Sequence, residues 1–253
     1  MNKYLKILGA TAILSSASFA TQASSVGGVV WNPDHPNDFS GVTAVMHQDI
    51  DPLTGVLSGY GNITTLNGQP NSAFCPGCEL TFNFGGYTPA GSVLLPSANT
   101  VIDYNGGFVD FYVDMSPDAP LNDHSVLTAA NTGSEGGANA LWLSVVGHPG
   151  ISGFTFEGEV NSAFTRLTGF GDWDVTGGLA APNLNTDTVP DGAGGFADIT
   201  FGTTLNIQVT QTSADGAGNF QGDSVAVPEP ASLGIFALSL LGMAGFARKR
   251  KTS

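Results

Sequence analysis

Along Val109–Met115 apolar and polar residues alternate without a break: Val109, Phe111, Val113 and Met115 fall on one side, Asp110, Tyr112 and Asp114 on the other. A period of two belongs to a strand with one face buried and one in water; a helix, whose faces repeat about every 3.6 residues, cannot seat it. The alternation returns at Leu80, Phe82 and Phe84, at Phe154 and Phe156 with Thr155 and Glu157 opposite, at Ala197, Ile199 and Phe201, and at Leu205, Ile207 and Val209. Further strands are expected near 26–31, 42–47, 56–66, 99–104, 140–146 and 218–226. Turn signals separate them: Asp51-Pro52, Asn67-Gly68, Pro76-Gly77, Asn105-Gly106-Gly107, Pro149-Gly150, Gly177-Gly178 and Asp215-Gly216. No window of residues 24–226 carries a helical period. Many short strands at this spacing predict an all-β domain, an antiparallel β-sandwich or jelly roll. The lack of a fixed-period repeat argues against a propeller or solenoid.

Charge narrows the possible partners. Between residues 24 and 226 the only cation is Arg166, against sixteen Asp and four Glu, a net charge of −19. Nucleic acid and anionic membranes are bound through basic residues that neutralise phosphates, so such a surface repels both. It attracts divalent cations and keeps the chain soluble. The length of this part suits one large β domain or two small ones, able to bury roughly 70% of the unfolded surface.

The two ends read as addresses. Met1–Lys6 carries Lys3 and Lys6, an uncharged stretch runs from Ile7 to Ala20, and small residues follow at Ser18, Ala20 and Ala23. This is the three-part pattern of a secretory signal peptide over 1–23, cleaved after Ala20 or Ala23. At the other end Ala231–Ala247 has no charge, and its seventeen positions sit at the lower limit for a transmembrane helix. Arg248, Lys249, Arg250 and Lys251 follow, and such a basic cluster stays on the cytoplasmic side. Pro228 and Pro230 hold the approach to the span extended, because proline cannot donate a helical hydrogen bond and biases its predecessor away from the helix.

The order Val227-Pro228-Glu229-Pro230-Ala231-Ser232, a short Leu/Gly/Ala-rich span and a terminal Arg-Lys-Arg-Lys closely resembles the PEP-CTERM sorting signal of Gram-negative bacteria. The resemblance implies recognition in the inner membrane by an exosortase, with Pro228, Glu229 and Pro230 as recognition residues and cleavage near them. It also implies a host that makes exopolysaccharide. The chain then divides into a signal peptide (1–23), an acidic β domain (24–226) and a sorting tail (227–253: motif 227–230, span 231–247, basic end 248–251). Within the domain, the runs 51–61, 74–82 and 218–222 resemble a recurring passenger of uncharacterised PEP-CTERM proteins, a family without a known activity. The same tail occurs on unrelated passengers, so it does not settle what the domain does.

Several residue groups in the domain are candidates for chemistry. Cys75 and Cys78 are the only cysteines, and export to an oxidising compartment predicts a disulfide between them. Pro76 and Gly77 suit a type II turn that brings the pair close enough to bridge, worth about 2 kcal/mol by loop entropy. A thioredoxin-like site needs a helix after the first cysteine, whereas Glu79–Phe84 is strand-like. Asp49 with Asp51, and Asp172 with Asp174, joined by Asp187 and Asp191, can offer oxygen ligands to Ca²⁺ at loop tips. His35, His47, His124 and His148 have no metal-motif spacing. With twenty carboxylates, pairs at glycosidase distance arise by chance, and there is no Gly-x-Ser-x-Gly elbow. Gly55, Gly59 and Gly61 interrupt a strand pattern and do not make a dinucleotide loop. Among Trp31, Trp142, Trp173, Tyr60 and Tyr87, Trp142 reads as core, while Trp173, between Asp172 and Asp174, reads as an exposed ligand-binding aromatic.

These features predict a non-enzymatic exported protein of the cell surface or extracellular matrix. It would be exported by Sec, anchored in the inner membrane with the domain in the periplasm, processed by an exosortase, and associated with exopolysaccharide or biofilm in a structural or adhesive role. A carbohydrate-binding module is the alternative reading, and an exported hydrolase comes third.

Overall fold

The structure is a computed structural model and describes residues 23–227 apart from Asn37, 92–94, 120–126 and 210–211. A short hairpin, β1 (Ser24–Val26) and β2 (Val29–Trp31), leads into β3 (Phe39–Ile50) and β4 (Leu57–Asn62). The small hairpin β5 (Thr65–Leu66) and β6 (Gln69–Pro70) and the single turn α1 (Asn71–Phe74) precede β7 (Glu79–Pro89) and β8 (Val101–Asp114). After a 3-10 turn at Glu135–Gly137 come β9 (Ala140–His148), β10 (Phe156–Val160) and β11 (Arg166–Gly177). The turn α2 (Ala181–Leu184) and the hairpin β12 (Val189–Pro190) and β13 (Phe196–Ala197) lead to β14 (Ile199–Ile207) and β15 (Ser213–Gly222).

All the pairings are antiparallel. The path runs β3–β4–β7–β8, then through β9 and β10 to β11, β14 and β15. β10 lies against the Val101–Tyr104 end of β8 and β9 against its Phe108–Val113 end, so the two together form one stave. β15 pairs back onto β3, from Ser213 opposite Asp49 to Gly222 opposite Phe39. That last pairing turns the sheet into a closed barrel of eight staves. The all-β class follows from the alternation, but two opposed sheets, as in a sandwich or jelly roll, do not describe this ring. Alternation says that one face is buried; it does not say whether that face meets a second sheet or the far side of its own.

Two expected turns lie inside strands. Asn105-Gly106-Gly107 falls within β8, where the strand passes from β10 to β9, and Asp215-Gly216 falls within β15. Both glycines are there for space. Gly107 has φ +90°, and a Cβ on it would sit 2.2 Å from a carbon of the Tyr87 ring. A Cβ on Gly216 would sit 2.3 Å from the Thr204 carbonyl oxygen. Asn67-Gly68 does turn between β5 and β6, with both residues at positive φ, as a tight hairpin needs. β14 stops at Ile207, and Val209, expected in that strand, is exposed.

The inward face is unusually aromatic. Trp173 stacks on Phe201 at 4.0 Å between ring centroids, and Phe156 stacks on the other side of the group at 5.6 Å from Phe201. Rings lie over glycines of neighbouring strands: Phe220 over Gly41, Phe84 over Gly59, Phe82 over Gly61 and Phe156 over Gly169. A Cβ at any of the four would come within 2.4 Å of the ring. Large side chains on one stave are thus accommodated by missing ones on the next, which lets a small barrel fill without straining its backbone. An apolar cavity of about 50 Å³ remains among these rings.

One end of the barrel is plugged. The Trp142 indole donates to the Val26 carbonyl at 2.9 Å, and the Trp31 indole donates to Ser224 Oγ at 3.0 Å. Ser224 in turn donates to Asp38, and the Val225 amide donates to the Asn183 carbonyl of α2. The chain therefore leaves the barrel at the plugged end, immediately before residue 227.

Candidate functional site

The outer surface carries two histidines, each held between two aspartates. His47 on β3 lies opposite Asp215 of β15 on one side and opposite Tyr60 of β4 on the other. Its Nδ1 is 2.6 Å from Asp215 and its Nε2 is 3.2 Å from Asp49, while the ring stacks on Tyr60 at 5.0 Å. Gln208 donates to the second oxygen of Asp215. His148, at the end of β9, has Nδ1 2.8 Å from Asp174 and Nε2 3.2 Å from Asp191, which comes from the β12–β13 hairpin. Asp191 also accepts the amides of Ala193, Gly194 and Gly195. In both places one aspartate, Asp215 or Asp174, comes from the neighbouring strand, an adjacency that local spacing does not reveal; Asp49 stands two residues from His47 on its own strand.

Burial disfavours the His148 imidazolium, but its hydrogen bonds to Asp174 and Asp191, and their charges, outweigh this and raise its pKa above the ordinary value. A raised folded pKa means that the imidazolium contributes stability fully below the unfolded value of about 6.5 and loses it as pH rises through the folded value. Thermal melts of wild type and His148→Gln should therefore differ most near pH 6 and converge towards pH 9. A constant difference across that range would show that the ion pair contributes nothing.

The aspartates expected to bind Ca²⁺ are placed differently from that expectation. Asp49 and Asp174 face the two imidazoles, and Asp172 lies on the same outer face opposite His148. Asp51 folds into its own turn, accepting the amides of Leu53 and Thr54. The Asp187 amide donates to Asp198, a buried carboxylate that also accepts the amides of Val175 and Thr186. The carboxylates that do converge among the described residues are three others, Glu79, Asp114 and Asp118. Nothing in their sequence spacing marks them, since they meet only through the β7–β8 pairing.

Trp173 corrects the expectation of an exposed aromatic. It is 6% exposed and points into the barrel, its indole donating to the Tyr87 hydroxyl at 3.0 Å. Its acidic neighbours point outwards, and alternation then sends the residue between them to the core. Trp31, Trp142 and Tyr87 are buried as well. Cys75 and Cys78 form a disulfide with their Cα atoms 5.1 Å apart. The Cys78 amide donates to the Cys75 carbonyl, and Gly77 at φ +82° supplies the left-handed residue of the turn.

Residues 226–251, which follow directly from the plugged end, match the family model of the PEP-CTERM protein-sorting motif. The chain carries an exosortase sorting tail. No curated protein and no solved structure matches it. A PEP-CTERM tail implies an exported protein held by its C-terminal segment until an exosortase processes it. Pro228, Glu229 and Pro230, the span 231–247, the basic end 248–251, residues 1–22 of the signal peptide and His124 lie outside the described residues. Among the described residues no helix is long and apolar enough to cross a membrane.

Proposed function

We propose that this PEP-CTERM protein is a non-enzymatic component of the cell surface or extracellular matrix, exported by Sec and processed by an exosortase. Its acidic barrel has a structural or adhesive role in the exopolysaccharide layer, joined to anionic polymer through divalent cations. The observation that carries the reading is the sorting tail, placed on a domain whose single Arg or Lys is Arg166. A surface of that charge does not adhere to an anionic polymer directly, so multivalent cations must mediate the contact. The alternative of a carbohydrate-binding module loses its motive, because the tryptophans that would stack on sugar rings are buried.

Replacing Pro228, Glu229 and Pro230 together by alanine is expected to leave the full-length chain in the inner-membrane fraction, while wild type appears shorter and outside it. Normal processing of the variant would remove the sorting claim. Wild-type protein should also co-sediment with the host's exopolysaccharide and be released by EDTA. Protein recovered free in the medium would remove the matrix role while leaving sorting intact.

A further inference from the structure

The first rung of the β7–β8 ladder sets Glu79 directly opposite Asp114. Residues opposite one another in antiparallel strands project to the same side with their Cβ atoms about 5 Å apart, and like charges in that position repel. Here both carboxylates are also buried, at 2% and 3% exposure. Asp118, from the loop after β8, brings a third, and ligand oxygens of all three lie within 4.8 Å of one another.

The local hydrogen bonds are arranged around these carboxylates without neutralising them. Glu79 accepts the amides of Asp118 and Ala119 at 3.1 and 3.0 Å, and one oxygen of Asp114 accepts the Ser116 amide at 2.6 Å. The second oxygen, Oδ2 of Asp114, is buried and has no hydrogen-bond partner. Glu135, whose carboxyl feels the charges of Asp114 and Asp118, also has a buried oxygen without a partner, Oε1. Burying a carboxylate without a counter-charge is costly. The only Lys or Arg of the described chain, Arg166, begins β11 beside the opposite end of β8, roughly 40 Å along that strand. Among the described residues no Lys or Arg can therefore compensate the cluster.

We propose that Glu79, Asp114 and Asp118 form a binding site for one Ca²⁺ ion, with Asp114 Oδ2 as an inner ligand and Glu135 at its rim. Oxygen-only donors of this charge suit a hard divalent cation, and the cluster offers neither imidazole nor thiolate to favour zinc or copper. Asp118 is exposed, which gives the ion a route in from solvent and leaves room for water to complete the coordination. The site is distinct from the Asp49, Asp51, Asp172 and Asp174 positions that the sequence suggests. The Cys75–Cys78 turn sits immediately before Glu79 and ties down that side of it.

The test is calorimetric titration of the full chain, stripped with EGTA, with CaCl₂ alone, and thermal melts over the same concentrations. One saturable site with a Kd of about 10⁻⁵–10⁻³ M is expected, with the melting temperature rising across that range. Asp114→Asn and Asp118→Asn should each weaken binding about tenfold or more, whereas Asp49→Asn and Asp174→Asn should leave it unchanged. If Asp114→Asn does not fold, the exposed Asp118→Asn carries the comparison. No saturable binding up to about 10 mM Ca²⁺, or equal binding by Asp118→Asn, would overturn the assignment.

Discussion

Trp173→Ala is expected to lower stability by about 3–5 kcal/mol, seen as a reduced midpoint in urea with the slope unchanged. For a domain of this size that is a fall of roughly 6–20 °C in melting temperature. Three losses combine. The indole stacks flat on Phe201 and meets Phe111 edge-on at 6.2 Å, so truncation removes two ring contacts at once. The hydroxyl of Tyr87, itself buried, loses the indole N–H that donates to it. The removed volume also adjoins the existing apolar cavity, which the same rings line, and a rigid closed sheet collapses poorly into such a gap. Trp173→Phe keeps a ring against Phe201 and should recover most of the loss. If alanine costs less than about 1 kcal/mol, the aromatic stack is not what holds the barrel together.

Asp198→Ala should be comparably damaging although no ring is lost. The side chain is 1% exposed and accepts three backbone amides, from Val175 at 2.7 Å, Thr186 at 2.5 Å and Asp187 at 2.7 Å. It thereby fastens the segment after α2 to the end of β11. Hydrogen bonds to a charged group contribute about 1.5–3 kcal/mol each; the Val175 donor is buried and left unpaired, while those of Thr186 and Asp187 are part-buried and can turn to water, so a loss of about 3 kcal/mol is expected. Asn at this position keeps one acceptor oxygen and should retain part of the stability. Amide hydrogen exchange separates local from global damage: Thr186 and Asp187 should lose protection first. Unchanged protection in Asp198→Ala would show that the three amides find other partners.

Which positions face inwards was largely legible, because alternation is a local property of the chain. Leu80, Phe82, Val109, Phe111, Val113, Ile199, Phe201 and Leu205 are all buried. The same rule, applied strictly, also places Trp173 inside. The expectation that it was exposed gave weight to its acidic neighbours, when those neighbours are themselves the sign that it faces the other way. Glycines misled for a related reason. Gly106-Gly107 and Gly216 read as turns, yet they stand inside strands, and at Gly107 and Gly216 an aromatic ring or a carbonyl from another stave comes too close for a Cβ. The need for a glycine there is set by a residue far along the chain.

By itself the sequence determined the all-β class, the buried faces of most strands, the Cys75–Cys78 turn and the sorting tail, since each is written in neighbouring residues; β11, where glycines break the alternation, was not among the expected strands. Tertiary structure alone decided that β3 meets β15, closing a barrel in place of two facing sheets. It also decided that His47 and His148 are each clasped by two aspartates and that Glu79, Asp114 and Asp118 converge. Spacing along a strand encodes which way a side chain points. Which strand lies beside it depends on pairing between segments as far apart as Phe39 and Gly222, and no local period records that choice.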